Sequence, residues 1–198
     1  MAFTDFKSIP QVQEEYCIKY AEEKFITYLD LKPSSYFRQE LEFNLENIDV
    51  FTSEASRCEN VIYPILREVY KNFVEKYTIW SHKSISYDSK LTGTPDYLIS
   101  TKSELGKTIL GLPIVVVVEA KQNNFTEGWG QCLAELIAVQ KINQSEGKPL
   151  YGIVTDGELW QFGCLVQDVF TKEKIRIAVT DLEKLFGAIE FLLSSSHD

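Results

Sequence analysis

Histidine is almost missing from this sequence of 198 residues, which has only His82 and His197. That argues against zinc centres rich in imidazole, and His197 falls in a C-terminal tail expected to fray. Paired cysteines are missing too. Cys17, Cys58, Cys132 and Cys164 stand far apart with no C-x-x-C, so they read as reduced, buried thiols of a cytoplasmic protein. Long apolar runs are absent. The longest, Ile114 to Val118, is strand-sized, against the ~18 residues of a membrane span. The first residues lack the basic segment and apolar stretch of a secretory signal. Basic charge is scarce as well: 20 Lys plus Arg face 29 Asp plus Glu, a net charge of −9. Broad nucleic-acid binders rely on phosphate neutralisation, so this balance argues against a large basic grip. The deficit is uneven. Residues 61–102 hold six bases and four acids, so polyanion contact is expected there.

What is present suits a globular chain: 44% hydrophobic and 25% charged residues. The break at Lys32-Pro33-Ser34-Ser35 suggests an N-terminal helical extension, residues 1–35, packed on a core of residues 36–198. Apolar spacing predicts a first helix from Ile9 to Leu29, opened by Ser8 and Pro10. Residues 36–51 are ambiguous, with Leu41, Phe43 and Leu45 alternating as in a strand. A second helix is expected from Ser53 to Phe73, with Pro64 kinking it or marking its true first turn. Strands follow over Tyr77–Tyr87, Asp96–Ser100 and Leu112–Glu119, the last β-branched on both faces as in a covered sheet. A third helix (Thr126–Gln144), a hairpin of Leu150–Thr155 and Glu158–Val166 turned by Asp156-Gly157, and a last helix (Leu182–Leu193) complete a mixed α/β sheet with helices on both faces.

Gly106-Lys107-Thr108 resembles the end of a phosphate-binding loop. Position 101 is Thr where that motif needs Gly, and a strand rather than a helix should follow. No nucleotide cofactor is expected, and no ATP-driven motor within the chain.

The productive constellation is Pro95-Asp96 followed by Glu119-Ala120-Lys121. Strand side chains alternate, so Glu119 and Lys121 should project from one face while Ala120 points into a packed layer. If Asp96 comes from the neighbouring strand, two carboxylates and an ammonium converge. Such a pair of carboxylates suits Mg²⁺, with Mn²⁺ able to substitute. The lysine can orient a nucleophilic water and stabilise charge on an attacked phosphate.

At these residues the sequence resembles the PD-(D/E)XK nuclease superfamily. Asp96 matches its PD aspartate, and Glu119 and Lys121 match its (D/E)XK pair. Gln131, in Gly130-Gln131-Cys132-Leu133-Ala134-Glu135, falls where many members carry a helical glutamine. Tyr151 to Trp160 resembles a hairpin of the nuclease domain of type I restriction motor subunits, with Asp156 where that group usually has Asn. Ser53 to Leu66 is similar to that group's opening helix, which contributes a glutamate; this role falls to Glu54, with Glu59 one turn on as the fallback. The resemblance spans about residues 50–165. It implies a restriction-endonuclease-like mixed central sheet and Mg²⁺-dependent hydrolysis of DNA to a 5′-phosphate, chemistry shared by restriction, defence and repair enzymes. Asp96, Glu119, the Ala120 carbonyl and Glu54 would hold the metal. Lys121 would orient the water, and Gln131 would brace Lys121 or a phosphate. Trp129 and Trp160 read as core, His82 as surface, and Glu135 stays open between a supporting and an exposed role. The negative charge points to a homodimer or a partner subunit supplying further DNA grip. The competing reading is a silent nuclease fold that binds nucleic acid or protein without cutting.

Overall fold

The computed structural model describes residues 2–196, so His197 lies outside them. The chain starts with a 3-10 turn (Phe3–Asp5) and helix α1 (Ile9–Tyr16). The expected helix to Leu29 is not formed. Cys17 adopts a left-handed backbone (φ 56°) and ends α1. The chain then runs as strand β1 (Lys19–Glu23) and an extended strap over residues 24–33. The strap's N–H groups find acceptors outside a helix. Glu173 accepts from Phe25 and Ile26 at 2.8 and 3.0 Å, and Glu190 accepts from Leu31 at 2.9 Å. Phe25, Ile26, Tyr28 and Leu31 pack against the core from this extended path. The four-residue spacing of Val12, Tyr16 and Tyr20, carried on by Phe25 and Tyr28, mimics a helix that tertiary contacts override.

Residues 35–47 form helix α2 (Ser35–Asn47), capped by the Ser34 hydroxyl, which accepts from Phe37 N–H at 3.2 Å. Phe37 and Leu41, four apart, are buried, whereas Phe43 and Leu45 are exposed. Two of the three residues of the strand-like alternation, Phe43 and Leu45, are therefore exposed helix positions. The next helical stretch has three parts: α3 (Glu54–Arg57), a π-helical turn (Cys58–Ile62) and α4 (Tyr63–Tyr70). Pro64 explains the π turn. It has no N–H and crowds the carbonyl four residues back, and the Asn44 side chain instead donates to that Asn60 carbonyl at 3.0 Å.

Strands β2 (Tyr77–Ser81), β3 (Ile85–Ser86), β4 (Thr92–Gly93) and β5 (Tyr97–Thr101) follow. The single strand expected over Tyr77–Tyr87 is interrupted at His82, whose φ is 48°. Then come β6 (Ile114–Ala120), buried throughout, α5 (Phe125–Asn143), β7 (Leu150–Thr155), β8 (Leu159–Val166), β9 (Val169–Glu173), β10 (Ile177–Ala178) and α6 (Leu182–Ser195). The main sheet has the order β1-β9-β8-β7-β6-β5-β2, with β10 paired to β8, while β3 and β4 pair apart. Among the described residues, only β1–β9 and β6–β7 pair in parallel.

The result is a mixed α/β fold with a large, mostly antiparallel central sheet flanked by helices. One apolar layer joins α4 and α6 to residues such as Val116, Val118 and Ala120. The other joins α5, Phe3, Phe6 and Val12 to Leu98, Val117 and Val154. From Val116 to Val118, successive residues of β6 thus feed opposite layers, as the pleat requires. Among the described residues no helix is long and apolar enough to cross a membrane.

Candidate functional site

The ladder between β5 and β6 pairs Tyr97 with Val118. One step further sets Asp96 across from Glu119 on the same face. The Asp96 carboxylate accepts the Ala120 N–H through Oδ2 at 2.7 Å. Glu119 and Lys121 share a face, with Nζ 3.3 Å from Oε2. Ala120 points the other way and is fully buried. Because the N–H and C=O of a strand residue project toward the same neighbour, the Ala120 carbonyl lies on the Asp96 side. Lys121 N–H donates to the Thr155 carbonyl at 2.9 Å, which fixes the end of β6 against β7.

Helix α5 covers this face closely. A Cβ on Gly128 would lie 2.9 Å from Lys121 Cγ and 2.7 Å from Val154 Cγ1. Gln131 and Glu135 follow Gly128 at one and two turns on the same helical face, and both are buried. The carboxyls of Glu119 and Glu135 are hydrogen-bonded to each other, so one must hold a proton. Burial is the leading cause that raises both carboxyls, and the pair shares that proton. Glu135 Oε2 has no partner. The Gln131-x-x-x-Glu135 spacing was visible in sequence; that the helix face carrying it is buried was not.

Burial dominates the electrostatics. It raises the pKa of Asp96, with the Ala120 hydrogen bond, Lys121 and His82 pulling the other way. Glu119 is raised by burial and by Asp96, and Glu135 by burial and by Glu119. For Lys121, burial disfavours the charge, but Glu119, Glu54 and Asp96 together outweigh it and its pKa is raised. Lys121 is therefore an ammonium at neutral pH.

A cavity of about 360 Å³ opens beside Asp96, between β5 and the α3 region, and Glu54 and Glu59 both line it. Both are exposed. Glu54 is the one whose charge acts on Lys121 and on Cys58. Arg57 anchors this short helix: it donates to the carbonyls of Asp156 at 2.6 Å and Phe51 at 3.0 Å, tying α3 to the β7–β8 turn. His82 is exposed, as its sequence context suggests, yet it belongs to the site's rim. Its N–H donates to the Asp96 carbonyl at 2.8 Å, and its Nδ1 lies 3.7 Å from Asp96 Oδ1. No sequence signal marked this role, because it depends on the left-handed turn that ends β2.

The donor set fits a hard divalent cation. Asp96 and Glu119 offer carboxylate oxygens beside the Ala120 carbonyl, in a nest where three acids face one lysine and one carboxyl oxygen is orphaned. Among the described residues no three His, Cys, Asp or Glu side chains are grouped to hold an ion. Mg²⁺ does not require three, since it is commonly bound by one or two carboxylates plus waters and substrate oxygens. No protein-family model matches the chain, and no curated protein matches it.

Proposed function

We propose that this chain is a metal-dependent nuclease of the PD-(D/E)XK type, cutting phosphodiester bonds in DNA from a restriction-endonuclease-like version of the α/β fold. The observation that supports it is the juxtaposition of Asp96, Glu119 and Lys121 at the paired ends of β5 and β6.

Asp96, Glu119 and the Ala120 carbonyl would hold Mg²⁺, with Glu54 at the cavity mouth available to extend the set. When bound, the ion supplies a Lewis acid for the scissile phosphate and lowers the pKa of water. Lys121, kept protonated by the surrounding carboxylates, donates hydrogen bonds that orient the attacking water and offset charge building on the phosphate. Glu135 holds the Glu119 carboxyl in one orientation. Gln131, buried one turn earlier on the same helical face, would brace Lys121 or a phosphate. Water oxygen joins phosphorus, the bond to the 3′ oxygen breaks, and that oxygen takes a proton. The product then carries the 5′-phosphate that the family resemblance implies.

The test is cleavage of supercoiled plasmid and of linear single- and double-stranded DNA with Mn²⁺ or Mg²⁺. Wild type should cut. Asp96→Ala should lose at least about 100-fold in rate, the scale of removing one major charge-stabilising group, and a chelator should abolish cutting. A folded wild type that cuts nothing at any metal concentration overturns the proposal, as does an Asp96→Ala variant that cuts normally.

A further inference from the structure

A second cavity, about 240 Å³, opens where the start of α5 meets β8 and the connection from β9 to β10. Its polar wall consists of Thr126, Gln161, Lys172 and Arg176. No carboxylate lines it, although acids outnumber bases in the chain. Gln161 is only 2% exposed. Its Oε1 accepts the Trp129 indole N–H at 2.9 Å. An indole N–H can only donate, so the amide orientation is set. The Gln161 NH₂ is left without a hydrogen-bond partner among the described residues, on a side chain that lines the cavity.

Lys172 lies over the Trp129 ring, its ammonium 5.4 Å from the centroid. Burial first, and then the neighbouring Arg176 charge, push its pKa down; Glu22, its partner across β1 and β9, acts in the opposite direction. Among the described residues neither Lys172 nor Arg176 has an ion-pair partner within 4.0 Å. Two cations thus stand together with no ion pair of their own within 4.0 Å, beside an amide donor that no protein group takes up. Lysine, arginine and a fixed N–H donor suit the oxygens of a phosphate, and the positive end of the 19-residue α5 adds to the field.

We propose that this cavity is a phosphate-binding subsite that seats a backbone phosphate of the nucleic acid near the one attacked. The source of the phosphate rests on the nuclease reading; the preference of the cavity for phosphate does not. Trp129 directly follows Gly128, the residue packed on Lys121, so one rigid helix sets the spacing between subsite and lysine.

The test is binding in chelator, where no cutting occurs, with two probes: inorganic phosphate by calorimetry and a labelled short DNA duplex by anisotropy. The variants are Lys172→Ala, Gln161→Met and Arg176→Glu, the last at an exposed position where folding is not threatened. Each should weaken duplex binding about tenfold, the scale of one hydrogen bond to a charged group. For the two cation variants the salt dependence should also flatten by about one unit of slope. Inorganic phosphate should compete with the duplex for wild type. Phosphate binding lost in Arg176→Glu with duplex affinity unchanged would assign the cavity to a free phosphate or mononucleotide and overturn the backbone role. Unchanged binding of both probes in all three variants would overturn the subsite altogether. Failure of the nuclease reading is seen separately, as a wild type that cuts nothing while these binding differences persist.

Discussion

Three carboxyl groups, those of Asp96, Glu119 and Glu135, share one half-buried lysine. Each has its pKa raised, with burial as the leading cause. A carboxyl whose folded pKa exceeds its unfolded value keeps a proton that the unfolded chain has already released. Stability is then greatest below the ordinary glutamate value of 4.5 and falls as pH rises through the folded pKa, by about 1.4 kcal/mol per pH unit for each extra proton held. Asp88, Glu127 and Asp168 shift the opposite way, but they are solvent-facing and screened. In chelator the melting temperature should therefore be higher at pH 5.5 than at pH 7.5, and Glu135→Gln should reduce the difference. Mn²⁺ should restore stability at pH 7.5, because a bound cation replaces the proton as counter-charge. A melting temperature that rises with pH in chelator would contradict this reading of the nest.

Elements position these residues, and they differ in how plainly the sequence announces them. The β6 strand was readable because five consecutive β-branched residues leave few alternatives, and its alternation correctly separated Glu119 and Lys121 from Ala120. The opposition of Asp96 and Glu119 was a conditional reading, since register across two strands is set by tertiary pairing. The N-terminal segment was misread because a strap that finds acceptors on Glu173 and Glu190 leaves no local mark of its extended state. The depth of Glu135 was hidden for a related reason: which face of α5 meets the sheet depends on Gly128, Gly152 and their neighbours across the interface. The strap offers a test at this scale. It passes directly over Gly187 of α6, where Leu29 N–H donates to the Gly187 carbonyl at 3.2 Å, and a Cβ on Gly187 would clash with the Leu29 carbonyl oxygen. Gly187→Ala should cost about 1–3 kcal/mol, the range for forced overpacking, lowering the melting temperature by roughly 2–4 °C per kcal/mol. Amide exchange should quicken at Leu29 and Leu31. Unchanged stability and exchange would show that the strap is not held there.

Taken as a whole, the molecule is an acidic body with local positive features. Net charge of −9 repels a polyanion at long range, but exposed charges are screened beyond about 8 Å at physiological salt. Close binding is then decided by what lies within that distance: the Lys121 site and the cation pair on β9 and its following connection. Both adjoin α5, so in the proposed nuclease one helix would join catalysis to substrate grip, in place of a broad basic surface. The central claim is that Asp96, Glu119 and Lys121 form one hydrolytic site in which the carboxylates hold the ion and the lysine acts on water and phosphate. The most direct measurement is Lys121→Met, assayed in parallel for Mn²⁺ binding by calorimetry and for plasmid cleavage. Mn²⁺ should still bind while cleavage falls at least about 100-fold. Cleavage at the wild-type rate by a folded Lys121→Met protein would contradict it.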